Sequence, residues 1–110
     1  MAKIERTLNT DFYSLLKRIE DGILGGSISA SLEEYSDFSS GEAKCAVRVF
    51  ERYSYMGQNR VSLSVTLFQA DNNSPVRLSG ISTGGSQAML FKINTFGEEA
   101  FLKKLSEIID

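Results

Sequence analysis

The sequence predicts an α+β domain, an antiparallel β-sheet meander with two helices packed on one of its faces. Three observations carry that prediction. A segment near each end repeats apolar residues at helical spacing, and much of the chain between them alternates apolar and polar residues as strands do. Short clusters of glycine, asparagine, aspartate and serine separate the strands so closely that consecutive strands must pair antiparallel. The expected order is β-α-β-β-β-β-β-α. That layout is like a small helix-grip or TBP-like sheet, an analogy of shape that carries no function. At 110 residues the chain fits one domain, residues 1–110, with no linker or repeat to divide it.

Residues 3–8 form a short candidate strand around Ile4 and Leu8. Phe12, Leu15, Leu16, Ile19 and Ile23 then stand at i, i+3, i+4, i+7 and i+11, one apolar stripe of a helix. Asn9 or Thr10 is placed to cap it, Asp11 adds negative charge at its start, and Gly22 or Gly25-Gly26 is placed to end it. Ile28, Ala30 and Leu32 alternate with serines, as in a strand with one buried face. After the turn Ser39-Ser40-Gly41, the stretch Lys44–Tyr55 has two rows. Cys45, Val47, Val49, Glu51, Tyr53 and Tyr55 make the row expected to face the core; Lys44, Ala46, Arg48, Phe50 and Arg52 make the row expected to face outward. Val61, Leu63, Val65 and Leu67 alternate with hydroxyl residues in the cleanest strand, and Asp71-Asn72-Asn73-Ser74-Pro75 turns the chain into a strand with Val76 and Leu78. Residues 87–93 read as a sixth strand. The last helix is expected to start at a capping box, Thr95-Phe96-Gly97-Glu98, and to bury Phe101, Leu102, Leu105, Ile108 and Ile109.

Composition narrows the functional classes. The net charge of -2 and pI of about 5.2 give no long-range attraction to nucleic acid or anionic membrane. There is one cysteine and no histidine, which excludes an intrachain disulfide, Ser-His-Asp or Cys-His catalysis, and His-ligated zinc. No metal, cofactor or catalytic residue is expected. No apolar run is long enough to span a membrane, and charges stand at Lys3, Glu5 and Arg6, where an export signal needs its apolar stretch. The expected compartment is the cytoplasm.

The C-terminal third carries a resemblance. Ser82-Thr83-Gly84-Gly85-Ser86-Gln87-Ala88, followed by Phe91-Lys92-Ile93-Asn94-Thr95-Phe96-Gly97-Glu98-Glu99-Ala100-Phe101-Leu102, resembles a family of short proteins from Gram-positive bacteria known as a domain of unknown function. The resemblance implies a bacterial cytoplasmic protein and brings no residue role with it.

Three features invite a function. Glu51 lies in the row assigned to the core, where an unpaired charge costs several kcal/mol, so it is a candidate ligand-orienting carboxylate with Tyr53 and Tyr55. The bland account is a sheet that outruns its helices, or a bulge that reverses the face. The outward row makes a candidate interface of Arg48, Phe50, Arg52 and Phe68, joined by Arg77 and Ile81. It suits a homodimer through the sheet. Single-stranded nucleic acid is disfavoured by the acidic pI, the absence of tryptophan and the absence of an RNP-like motif. Ordinary exposed aromatics are the bland account. Ser79–Ser86, rich in glycine and hydroxyls, can cradle an anion in principle, yet it lacks the P-loop and dinucleotide-binding patterns and reads first as a bulged strand and turn. The expected function is a non-catalytic homo-oligomeric or partner-binding module. The alternative is a small-molecule binder with a cavity between sheet and helices.

Overall fold

The computed structural model describes residues 1–54, 59–84 and 91–110. The elements are β1 (Ala2–Leu8), α1 (Phe12–Gly25), β2 (Ser31–Ser40), β3 (Ala43–Ser54), β4 (Asn59–Gln69), β5 (Val76–Gly84) and α2 (Phe91–Ile109). The five strands form one sheet in the order β1-β5-β4-β3-β2, with every neighbouring pair antiparallel. Strands β2 to β5 are the expected meander. Strand β1 lies beside β5 at the far edge, so α1 carries the chain from one edge of the sheet to the other.

Both helices lie on one face, and the apolar stripes dictate how. Phe12, Leu15, Leu16, Ile19 and Ile23 of α1 and Phe101, Leu102, Leu105 and Ile109 of α2 are buried against Val61, Leu63, Val65, Leu67, Val76 and Leu78 of the sheet. The cap of α1 is Asp11, directly before the first helical residue. Its carboxylate accepts the N–H of Ser14 at 2.9 Å, and that bond lowers its pKa. Gly22 is inside the helix and does not end it. A Cβ there would lie 2.6 Å from Ile108 Cδ1, so the glycine sets how closely α1 and α2 approach. At Gly80 the cause is the same: a Cβ would meet Leu105 Cδ2 at 2.6 Å, and α2 rests on the bare backbone of β5.

Several boundaries depart from the sequence-based expectation. The alternation around Ile28 does not become a strand. Ser27 Oγ accepts the N–H of Ser29 and its carbonyl accepts the N–H of Ala30, so the chain turns there and Ile28 is fully exposed. Strand β2 starts at Ser31 and runs through Tyr35 and Phe38 to the turn at Gly41, whose φ of 59° suits glycine. The expected sixth strand fails over its described part: Phe91 to Ile93 open α2, while 87–90 lie outside the described residues. The helix therefore begins before the capping box. The Glu98 carboxylate does not cap α2; it accepts the N–H of Gly84 at 2.5 Å and ties the helix to the end of β5.

The faces of β3 are the reverse of those expected. Phe50 stands opposite Leu63 and is fully buried, and Ala46 and Arg48 are buried beside it. Arg52 is half-buried, with its guanidinium 4.4 Å from the centre of the Phe101 ring, and burial lowers its pKa. Arg48, Phe50 and Arg52 are thus on the helix side and do not form the outward patch. Of the four expected interface residues only Phe68, paired with Cys45, stands on the open face. Register explains the reversal. One row of β3 must face the row of β4 that carries Leu63 and Val65, and a slip of one residue exchanges the faces.

Candidate interaction surface

Among the described residues, nothing covers the face of the sheet away from the helices. Its residues follow from the register in rows that cross all five strands. One row is Phe38, Cys45, Phe68, Arg77 and Thr7; the next is Ser36, Val47, Thr66, Ser79 and Glu5; the next is Glu34, Val49, Ser64, Ile81 and Lys3. Phe38 is 65% exposed, Phe68 43% and Ile81 37%, while Cys45, Val47 and Val49 are half-buried between their neighbours. The middle of the face, from Val47 and Val49 across Ser64 and Thr66 to Ser79 and Ile81, carries no charge. Charges stand around it at Lys3, Glu5, Glu34 and Arg77.

Phe68 forms a ridge between two hollows. One of about 370 Å³ is lined by Glu5, Thr7, Thr66, Arg77 and Ser79 among others. The other, of about 180 Å³, lies against Phe38, Ala43 and Cys45. Cys45 is therefore on the open face between two phenylalanines, and not in the core as its row had suggested.

Glu51 sits at one corner of the same face. Arg60 Nε donates to its carboxylate at 2.6 Å and Ser62 Oγ donates to the other oxygen at 3.2 Å. Glu33 also approaches Arg60, at 3.5 Å, and the bond and charge of Glu51 hold the arginine's pKa above its ordinary value. Tyr53 is next to them, 56% exposed, with the Arg60 guanidinium 5.7 Å from its ring centre. The structure thus brings Glu51 and Tyr53 together, but at a solvated edge and not in an enclosed site. Tyr55 lies outside the described residues. The anion-cradle reading of Ser79–Ser86 fails over its described part. Residues 79–82 are paired with β1 on one side and β4 on the other, so the sheet takes their peptide groups; Gly85 and Ser86 lie outside the described residues.

Buried Arg48 anchors the other side. Its guanidinium donates to Glu20 of α1 at 2.8 Å and to Asp37 of β2 at 2.9 Å, and stands 5.3 Å from the Tyr35 ring centre. Burial disfavours its charge, but the two carboxylates outweigh burial and raise its pKa. Phe38, Val47 and Val49 were not foreseen as surface residues. For Val47 and Val49 the available signal was the charge of Glu51 in their row of β3, which fits an open face better than a core.

A model of a family of unknown function (DUF6054) matches residues 1–110. The chain belongs to that family. DUF6054 carries no assigned activity, so its match leaves the function open. No curated protein and no solved structure matches the chain. Among the described residues, no helix of this DUF6054 member is long and apolar enough to cross a membrane.

Proposed function

We propose that the chain is a non-catalytic module that assembles as a homodimer through the open face of its sheet. One observation carries this reading: the face has a charge-free middle of valine, isoleucine, serine and threonine with phenylalanines beside it, and charges only around it. Its size suits a dimer. Strands about 4.8 Å apart and about ten residues long give a face of roughly 24 by 30 Å, about 700 Å² per copy. Two copies would bury about 1,400 Å², within the range of stable interfaces.

The test is light scattering on a sizing column at two protein concentrations, with Phe68→Glu beside the wild type. The expected result is a wild-type dimer and a folded Phe68→Glu monomer, because Phe68 is exposed and its loss leaves the core intact. A wild type that stays monomeric at the higher concentration would refute the reading.

The small-molecule alternative finds its best support in a cleft of about 360 Å³ between α1 and the β2–β3 hairpin, lined by Phe12, Tyr13, Leu16, Lys44 and Arg48 among others. Both of these cations already have partners. Lys44 donates to Asn72 at 3.0 Å and Arg48 to Glu20 and Asp37, so a ligand there would have to displace existing bonds.

A further inference from the structure

The two edge strands of the open face carry opposite charges at the same level of the sheet. Glu34 on β2 and Lys3 on β1 end one row, with Val49, Ser64 and Ile81 between them. Both end residues are exposed. The row reads acidic, apolar, small, apolar, basic, so it is complementary to itself when reversed.

We infer that two copies pack face to face about a two-fold axis that runs parallel to the strands over β4, with Glu34 of each copy paired to Lys3 of the other. This rests on the dimer reading above and fixes its geometry. Such an axis places β4 on β4, β3 on β5 and β2 on β1, and reverses every row. Val49 then meets Ile81 of the second copy, and Ser64 meets Ser64, where small side chains let the sheets approach. Two rows further along, Arg77 of the second copy comes over Cys45, between the rings of Phe38 and Phe68, a position that suits a guanidinium. A two-fold axis across the strands at the same row does the opposite: it sets Glu34 against Glu34 and Lys3 against Lys3. Like charges facing each other disfavour that arrangement. Glutamate and lysine side chains together are long enough to bridge the roughly 10 Å between stacked sheets.

The test is charge exchange, read as the dimer dissociation constant by sedimentation velocity. Lys3→Glu and Glu34→Lys should each weaken the dimer about tenfold or more, because each sets like charges together twice by symmetry. The double variant should return to within about threefold of the wild type, and the differences should shrink in high salt. A zero-length carbodiimide link in the wild type needs no variant to fold. A Lys3–Glu34 linked peptide supports the geometry, since within one copy these residues are four strand spacings apart, about 19 Å, and beyond its reach. A wild-type dimer whose double variant is no better than the single ones, or that yields no such peptide, overturns the axis and leaves the sheet-face dimer standing. A wild-type monomer overturns both.

Discussion

At the scale of single residues, Arg48 shows how a charged side chain comes to sit inside the row that packs on the helices. Its stem lies among apolar neighbours and its guanidinium reaches Glu20 and Asp37, linking α1 to the edge strand β2. Arg48→Ala removes the stem and leaves two carboxylates facing each other, so it should cost about 2–4 kcal/mol. Arg48→Met keeps the stem and should cost clearly less; urea denaturation of the two variants separates packing from charge. Equal losses would show that the charge alone matters. The same row explains what the sequence left ambiguous. Cys45, Val47 and Val49 form the more apolar row of β3, yet the core takes Ala46, Arg48 and Phe50. Counting apolar residues fails here because both faces of this sheet are partly apolar, and Arg48 and Arg52 bury their length while placing their charge on a partner or a ring. Glu51 was the residue that pointed the right way. It finds Arg60 and Ser62 on the open face, a pairing legible only once the register of β3 on β4 is known.

At the scale of elements, the helices were legible and the ends of strands less so. A stripe over about three turns, as in α1, survives small errors of boundary. The serine-rich segment before β2 did not read correctly, because Ser27 bonds its own neighbours and turns the chain before the strand begins. The start of α2 was displaced because Thr95 and Glu98 have the spacing of a cap inside a helix that already runs from Phe91. Gly22 resembles a terminator in the sequence because nothing local announces Ile108, which lies across from it. That contact sets up an opposed pair of effects. Alanine in place of glycine favours a helix by about 1 kcal/mol, whereas overpacking costs about 1–3 kcal/mol. Both Ile108 Cδ1 and Cγ1 would lie under 3.0 Å from the new Cβ, and a β-branched side chain has few ways to turn aside. Gly22→Ala should therefore destabilise by about 1 kcal/mol in the wild type and become neutral or stabilising when Ile108 is also alanine. Denaturation midpoints of the four proteins of that cycle measure the coupling. Additive effects would mean that the helices separate without cost.

At the scale of the whole molecule, the chain is long and one-sided. Its extents are 46 × 24 × 23 Å and its radius of gyration is 14.3 Å, above the value of about 13 Å expected for a compact chain of this length. Two helices cover one face of five strands, and β2 from Glu33 to Ser40 is exposed along its length. The meander and the one-sided helices were legible because they follow from short turns and single apolar stripes. The make-up of the open face was not, because it depends on which row of β3 shares a side with Leu63 and Val65 of β4, and only the register of the two strands decides that. If two copies share that face, their stability must depend on concentration, since unfolding one dimer releases two chains. A tenfold rise in concentration changes the balance by about 1.4 kcal/mol, which for the unfolding entropy of two chains of this length is a rise of about 3 °C in Tm. Phe68→Glu, monomeric by expectation, should melt at one temperature whatever its concentration. Calorimetry over a hundredfold range of concentration decides the matter: a wild-type midpoint as constant as that of Phe68→Glu would mean that the open face has no second copy upon it.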